Sequence, residues 1–282
     1  MAEPRPATRP FSWRNFAIRA VSAVVLASAA LGAVWMYGAG EGLWRAPFLV
    51  LVSVGGVLLS IEWAAMAVPR ARMRSVIATS CAVLAVILFT FLGHFTHAWI
   101  AIAAGAVVAA VAAKTGGEQA RVGAYGVLYI APACLALMWL IQTPQGSNWT
   151  TMLFACAWSA DIFAFLVGSA LGGPKLWPRW SPKKTWSGAF GGLAAAVAVS
   201  VAVAAVFMRL SLAGAALIGF LGGLATMAGD LWESVLKRRF GVKDAGSLIP
   251  GHGGLLDRVD GMMFAVMIFA VARLAVRMTW NH

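Results

Sequence analysis

Charged residues are scarce in this 282-residue chain: they make up 11% of it, against about 25% in soluble domains. That deficit excludes an ordinary water-facing surface around a small apolar core. Cysteine is nearly absent too. Cys81, Cys134 and Cys156 all fall in apolar runs, have no zinc-ligand spacing and are too few for a disulfide framework, so they read as small packing residues. Acidic residues number ten against 22 Lys and Arg, giving a net charge of +12. That surplus would suit nucleic acid, but the basic residues sit between apolar runs, which points to a membrane and away from nucleic acid. No internal repeat is visible.

What is abundant is apolar sequence, at 61% of the chain. Several runs reach the roughly 20 residues that a bilayer core demands of a helix. They are continuously apolar, without the alternation over about ten residues that barrel strands require. Helices satisfy their own backbone hydrogen bonds in lipid, so the expected fold class is an all-α polytopic membrane protein. Nine transmembrane spans are expected, at about 18–37, 47–68, 75–92, 98–113, 123–141, 150–171, 188–207, 211–229 and 260–278; eight is the main alternative count. Arg5, Arg9, Arg14 and Arg19 before the first run resemble a signal peptide. The apolar stretch from Ala20 to Tyr37 is longer than the usual 7–15 residues and more spans follow, so it reads as the first transmembrane helix. One membrane domain over 1–282 is expected, with motif-free helices over 1–145 and catalytic helices over 146–282.

Lys and Arg set the orientation. With the N-terminus in the cytoplasm, the cytoplasmic segments hold the four N-terminal arginines; Arg70, Arg72 and Arg74; Lys114 and Arg121; Lys175, Arg179, Lys183 and Lys184; and Lys237, Arg238, Arg239, Lys243 and Arg258. Eighteen of the 22 therefore lie inside, which predicts nine spans, an external C-terminus and residence in the cell's inner (plasma) membrane. On the outside, His94 and His97 form a tight polar turn; metal binding is the alternative for them.

All five aspartates, Asp161, Asp230, Asp244, Asp257 and Asp260, lie in the second half. Asp161 falls inside the sixth span, where an ionisable group is expensive and marks function by default. Hard oxygen ligands of this kind suit magnesium, which shares them with water and substrate phosphate. If the end of span eight is helical, Asp230, Ser234 and Lys237 fall at i, i+4 and i+7 on one stripe, with Glu233 beside them. The alternative is an ordinary solvated helix end with a Glu233–Lys237 pair. Glycines 251, 253 and 254 let backbone amides approach an anion and lead into span nine, whose N-terminal amides favour negative charge. Asp257 and Asp260 share one face of that helix, where they can clamp a divalent metal. His252 reads as a phosphate contact or a loop hydrogen bond, with a general base as a third option. The Ser181–Gly188 loop offers Lys183 and Lys184 with flanking hydroxyls to a triphosphate; a positive-inside anchor is the alternative. Gly214, Gly219, Gly222 and Gly223 suggest close helix packing in span eight.

The run Ser234-x2-Lys237-Arg238-x4-Lys243-Asp244-x-Gly246-x2-Ile249-Pro250-Gly251-His252-Gly253-Gly254-x-Leu256-Asp257-Arg258-x-Asp260 resembles the signature of the phosphatidate cytidylyltransferases, the CDP-diacylglycerol synthases. Ser181-Pro182-Lys183-Lys184-Thr185 and Asp161 are similar to two further family elements, in the right order. The resemblance covers roughly 155–265. It implies a helical membrane enzyme, often dimeric, with a polar cavity open to the cytoplasm, that converts CTP and phosphatidate to CDP-diacylglycerol and pyrophosphate with magnesium, one ion or two. Carried over by position, Asp161, Asp230, Asp257 and Asp260 would hold metal. Asp230, Asp257, Ser234 and Lys237 would be catalytic. Ser181, Lys183, Lys184, Thr185, Lys243, His252, Gly253, Gly254 and Arg258 would bind substrate. The chain departs from the pattern at Ser187, where Glu is usual, at Ser169, where Arg is common, and after Asp161, where a Tyr gives way to Phe163 and Phe165. Two rival functions are a CTP-dependent enzyme acting on another lipid phosphate or alcohol, and an ion-coupled transporter. For the transporter, only Glu62 and Asp161 are intramembrane candidates, and Glu62 also reads as a packing residue near the end of span two.

Overall fold

The computed structural model describes residues 13–115, 117–208, 210–246 and 253–280. The expected spans coincide with nine helices: α1 (Trp13–Ala39), α2 (Ala46–Ala67), α3 (Arg72–Phe91), α4 (Phe95–Thr115), α5 (Ala120–Gln142), α6 (Gly146–Leu171), α7 (Trp186–Phe207), α8 (Leu212–Arg239) and α9 (Leu256–Trp280). Among the described residues, eight are long and apolar enough to cross a membrane; the apolar part of α1, Val24–Ala39, is shorter. The all-α expectation holds, with one local exception. The segment read as a loop before span seven is an antiparallel hairpin of β1 (Lys175–Trp177) and β2 (Ser181–Thr185). Gly172 and Gly173, both at positive φ, turn the chain out of α6 into it.

The helices pack as two linked groups. α3 lies against α2, α4 and α5, while α7 lies between α6 and α8, and α8 packs on α9. Contacts of α9 with α5, α6 and α2 join them. Large apolar side chains such as Val107, Val111, Leu171 and Val206 point outward, as lipid-facing residues do, while Phe48, Trp63, Met152, Leu153 and Phe269 fill the interior. Cys134 and Cys156 are buried and Cys81 is exposed; all three are free thiols.

Small residues set the closest crossings. A side chain at Gly192 would lie 2.5 Å from the Ala160 carbonyl of α6, and one at Gly219 would lie 2.7 Å from Ser200 of α7. Gly222 and Gly223 meet Phe269 and Ala196 in the same way, whereas Gly214 meets only its own cap, Ser211 and Leu210. Where α8 crosses α9, Gly229 faces the Asp260 carbonyl and Gly261 faces Asp230. With no hydrophobic effect between helices in lipid, such close backbone approach carries much of the association.

Polar contacts sort to the two ends of the bundle. At one end Arg70 N donates to Glu118 (3.3 Å) and Trp232 Nε1 to the Tyr125 hydroxyl (2.6 Å). At the other, Asn148 donates to the Phe207 carbonyl (2.7 Å), Gln142 to the Thr90 carbonyl (3.1 Å) and Arg273 to the Pro144 carbonyl (3.1 Å). His94 and His97 sit at this second end, their rings edge to face with centroids 5.6 Å apart.

Candidate active site

α8 does not stop at the membrane-length run ending near 229. It continues to Arg239 as one 28-residue helix, carrying Asp230, Glu233, Ser234 and Lys237 beyond the Gly229 crossing. Asp230, Ser234 and Lys237 all line a cavity of about 1300 Å³, together with Glu233, Asp161 of α6, Lys183, Lys184 and Thr185 of the hairpin, and Asp257, Arg258 and Asp260 of α9. Its remaining wall is apolar and comes from both halves of the chain, including Val24, Phe48, Leu51, Ile130 and Phe165. A charged end thus opens into an oily trough, the shape that suits an amphiphile.

Two lysines organise the charged end. Lys184 reaches from β2 to ion-pair with Asp230. Lys237 sits between Glu233 and Asp257, 2.6 Å from an oxygen of each. The Glu233–Lys237 pair foreseen as a solvated helix end is therefore real but buried: Glu233 is 1% exposed and shares its lysine with a carboxylate of another helix. The Ser234 hydroxyl donates back to the Asp230 carbonyl at 2.9 Å, one turn earlier. Thr185 caps α7, accepting from Gly188 N at 3.2 Å, and lies 3.0 Å from the Ser187 hydroxyl. Ser187 in turn donates to the Gly172 carbonyl, tying the start of α7 to the end of α6.

Asp260 is almost buried, at 7% exposed, and accepts from Gly261 N at 2.9 Å. Its carboxyl lies in the fields of Asp230 and Glu233. Asp161 lies in the field of Asp230, Lys184 and Arg258. Absence of a Cβ at Gly261 lets Asp230 approach α9: a methyl there would stand 2.7 Å from Asp230 Oδ1.

Of the glycine-rich segment, residues 253 and 254 are described, at the approach to α9. The amides at the start of α9 already hold the protein's own carboxylates. Asp257 accepts from Ala245 N at 3.1 Å and Gly254 N at 3.2 Å, as well as from Lys237. Leu255 N and Leu256 N donate to Glu62 of α2, at 2.9 and 2.7 Å. The Gly254 amide, engaged this way, is not open to a phosphate, and neither Gly253 nor Gly254 lines the cavity. Ser181 is buried in the hairpin and Lys243 is exposed; neither lines the cavity. His252, with residues 247–251, lies outside the described residues.

The expected metal set is likewise divided. Among the described residues, no three His, Cys, Asp or Glu side chains gather closely enough to hold one ion. Asp257 faces Lys237 and the loop amides, while Asp230 lies in the field of Asp161 on one side and of Asp260 on the other. Magnesium does not need a three-carboxylate cage: it commonly takes one or two carboxylates and completes its shell with water and substrate phosphate. The residues fit it on that basis. Glu233 Oε1 is buried with no hydrogen-bond partner and Asp260 stands beside it, so acidic charge there exceeds the donors that face it.

Residues 17–275 match the model of the cytidylyltransferase family. The chain belongs to the cytidylyltransferase family. Among its relatives, the phosphatidate cytidylyltransferase of Brucella abortus is 36% identical over 257 residues, covering 90% of this chain and 92% of that protein. The Pseudomonas aeruginosa phosphatidate cytidylyltransferase is 36% identical over 272 residues, covering 89% and 94%. One from Synechocystis is 43% identical over a shorter stretch of 139 residues, about half of each chain. The family match takes in the N-terminal helices as well as the signature. This agrees with a cavity wall built from both halves.

Sequence reasoning missed two features. In the sequence Glu62 reads as an intramembrane ion-binding candidate or as a packing residue near the end of span two, and its partners lie 193 and 194 positions away. Glu233 was seen as Lys237's helical neighbour but not as a buried group against Asp260.

Proposed function

We propose that this chain transfers the cytidylyl group of CTP to phosphatidate, giving CDP-diacylglycerol and pyrophosphate. The observation that carries this reading is the two-ended cavity: Lys183, Lys184, Lys237 and Arg258 with four aspartates at one end, and an apolar wall along the rest. A lipid phosphate fits it with acyl chains in the trough and headgroup among the lysines. The Lys and Arg distribution supports nine crossings with the N-terminus and this charged end in the cytoplasm, where CTP is found. The multi-pass helices and the bacterial relatives support residence in the plasma membrane.

In the reaction, a phosphatidate phosphate oxygen attacks the α-phosphorus of CTP. A new O–P bond forms, the bond from the α-phosphorus to its β-bridging oxygen breaks, and pyrophosphate leaves with that oxygen. A phosphate monoester is mostly dianionic near neutral pH, so no general base is required. Positioning and charge neutralisation supply the acceleration. Lys183, Lys184 and Arg258 receive the triphosphate and stabilise charge on the leaving group. When an anion draws Lys184 away, Asp230 loses its ion-pair partner and becomes free to act. Asp230, with Asp161 or Asp260 as a second carboxylate, would hold magnesium, which when bound would neutralise charge on both phosphates. Lys237 locks Glu233 to Asp257, which keeps the start of α9 in place beside the reacting groups. Ser234, whose hydroxyl is bonded to its own helix, contributes orientation of the Asp230 turn.

The test is direct. Purified protein with CTP and phosphatidate in mixed micelles releases CDP-diacylglycerol and pyrophosphate in equal amounts. Turnover with a lipid alcohol in place of phosphatidate, and none with phosphatidate, would refute the substrate assignment.

A further inference from the structure

Glu62 is 2% exposed and lies near the end of α2, a helix with no other acidic residue. It does not line the cavity. Both of its carboxylate oxygens are engaged, each by one backbone amide at the start of α9: Leu255 N on Oε1 and Leu256 N on Oε2. The surroundings are shaped to it. A side chain at Gly246 would stand 2.5 Å from Glu62 Oε1, and one at Gly254 would stand 3.1 Å from it. Leu255, which donates to Glu62, comes two residues before Asp257, and Asp257 holds Ala245 N and Gly254 N from the other side.

We infer that Glu62 is a positioning residue for cytidylyl transfer, acting from the N-terminal half of the chain through the α9 N-terminus. The inference rests on the placement of the active site at that end of α8 and α9. The physical basis is simple. The first amides of a helix have no intrahelical acceptor, and their dipole favours an anion. In a membrane protein such amides, once buried, must find a partner within the protein. Glu62 supplies both acceptors and the negative charge from a rigid helix. The start of α9, with Asp257 and Asp260 on its first turns, is thereby fixed relative to α2. Phosphoryl transfer depends on alignment of the reacting atoms, so a loosened start of α9 degrades turnover before it degrades binding. This gives the motif-free helices a part in the chemistry that no cavity-lining residue reveals.

The experiment uses the full chain purified in detergent, with Glu62→Gln and Glu62→Asp. Glutamine has the same size, but its NH2 faces a donor amide and the negative charge is gone. For Glu62→Gln the expected outcome is a kcat about 10–100-fold lower, the range seen when an outer-sphere partner of a functional group is removed. KM for both substrates stays within about threefold, as it should when ground-state binding is untouched. Hydrogen–deuterium exchange quickens at residues 254–257 and stays as in wild type in α3, α4 and α7. Glu62→Asp keeps the charge and recovers part of the lost kcat. Wild-type kcat in Glu62→Gln would overturn the inference. So would a loss of activity with exchange raised throughout the chain, which marks a merely structural role. The exchange measurement does not depend on turnover, so a wild-type protein inactive on phosphatidate would refute the substrate assignment while leaving Glu62 to be judged separately.

Discussion

The two lysines of the charged end should respond differently to removal, and the structure says by how much. Lys237 is 15% exposed and touches two carboxylates, one of them 1% and the other 11% exposed. At 2.6 Å, each pair is worth about 6 kcal/mol of Coulomb energy at an effective dielectric of about 20, most of which desolvation offsets. Replacing Lys237 by Met leaves two buried carboxylates with no cation between them, a change that typically destabilises by about 3–5 kcal/mol. Lys184 is 33% exposed and meets a single aspartate that is 18% exposed. Solvent screens that pair, so Lys184→Met should alter stability by only about 0–1 kcal/mol while lowering turnover. The assay is reversible unfolding in mixed micelles by SDS titration, alongside initial rates of pyrophosphate release. The expected pattern is that Lys237→Met loses both stability and activity, while Lys184→Met keeps its midpoint and loses activity. Equal midpoints for the two variants, or a larger shift for Lys184→Met, would refute the reading that Lys237 is the buried structural link and Lys184 the exchangeable one.

Two further outcomes follow from the same geometry. Gly261→Ala places a methyl 2.7 Å from Asp230 Oδ1 and 2.8 Å from the Thr226 carbonyl, so it should destabilise by about 1–3 kcal/mol, as overpacking usually does, and displace Asp230; unfolding midpoints and initial rates check both parts. Removal of divalent metal with EDTA should abolish turnover, and magnesium should restore it, because the acidic charge around Asp230 and Asp260 needs a counter-charge before two anionic substrates can meet there; activity that persists in EDTA would contradict the metal assignment.

Much of this molecule was legible in its sequence because membrane constraints are severe. Length and continuous apolarity located the nine helices of the described residues, and the i, i+4, i+7 spacing put Asp230, Ser234 and Lys237 on the face that lines the cavity. What escaped has a physical reason. The hairpin rests on a three-residue strand, too short for a period-two signal, and its sequence is rich in Lys, Pro and Trp. The glycine loop was expected to receive phosphate because glycines and a helix start together favour anions. Sequence alone could not reveal that Asp257 holds the Gly254 amide and that Glu62, from the far side of the chain, holds those of Leu255 and Leu256. The division of the four aspartates into a group around Asp230 and a separate Asp257 is a matter of helix crossing at Gly229 and Gly261, which spacing along one helix does not encode.

The central claim is that the acidic and basic side chains where α8 meets α9 bring CTP and the lipid phosphate together. Asp230→Asn tests it most directly, since it keeps the shape of the side chain and removes the charge that Lys184 now neutralises. Measured as pyrophosphate release from CTP and phosphatidate, with unfolding followed in parallel, the account predicts a kcat lower by at least about 100-fold, the scale on which loss of one preorganised charge-stabilising group acts, in a protein that still folds. Release at the wild-type rate would contradict it.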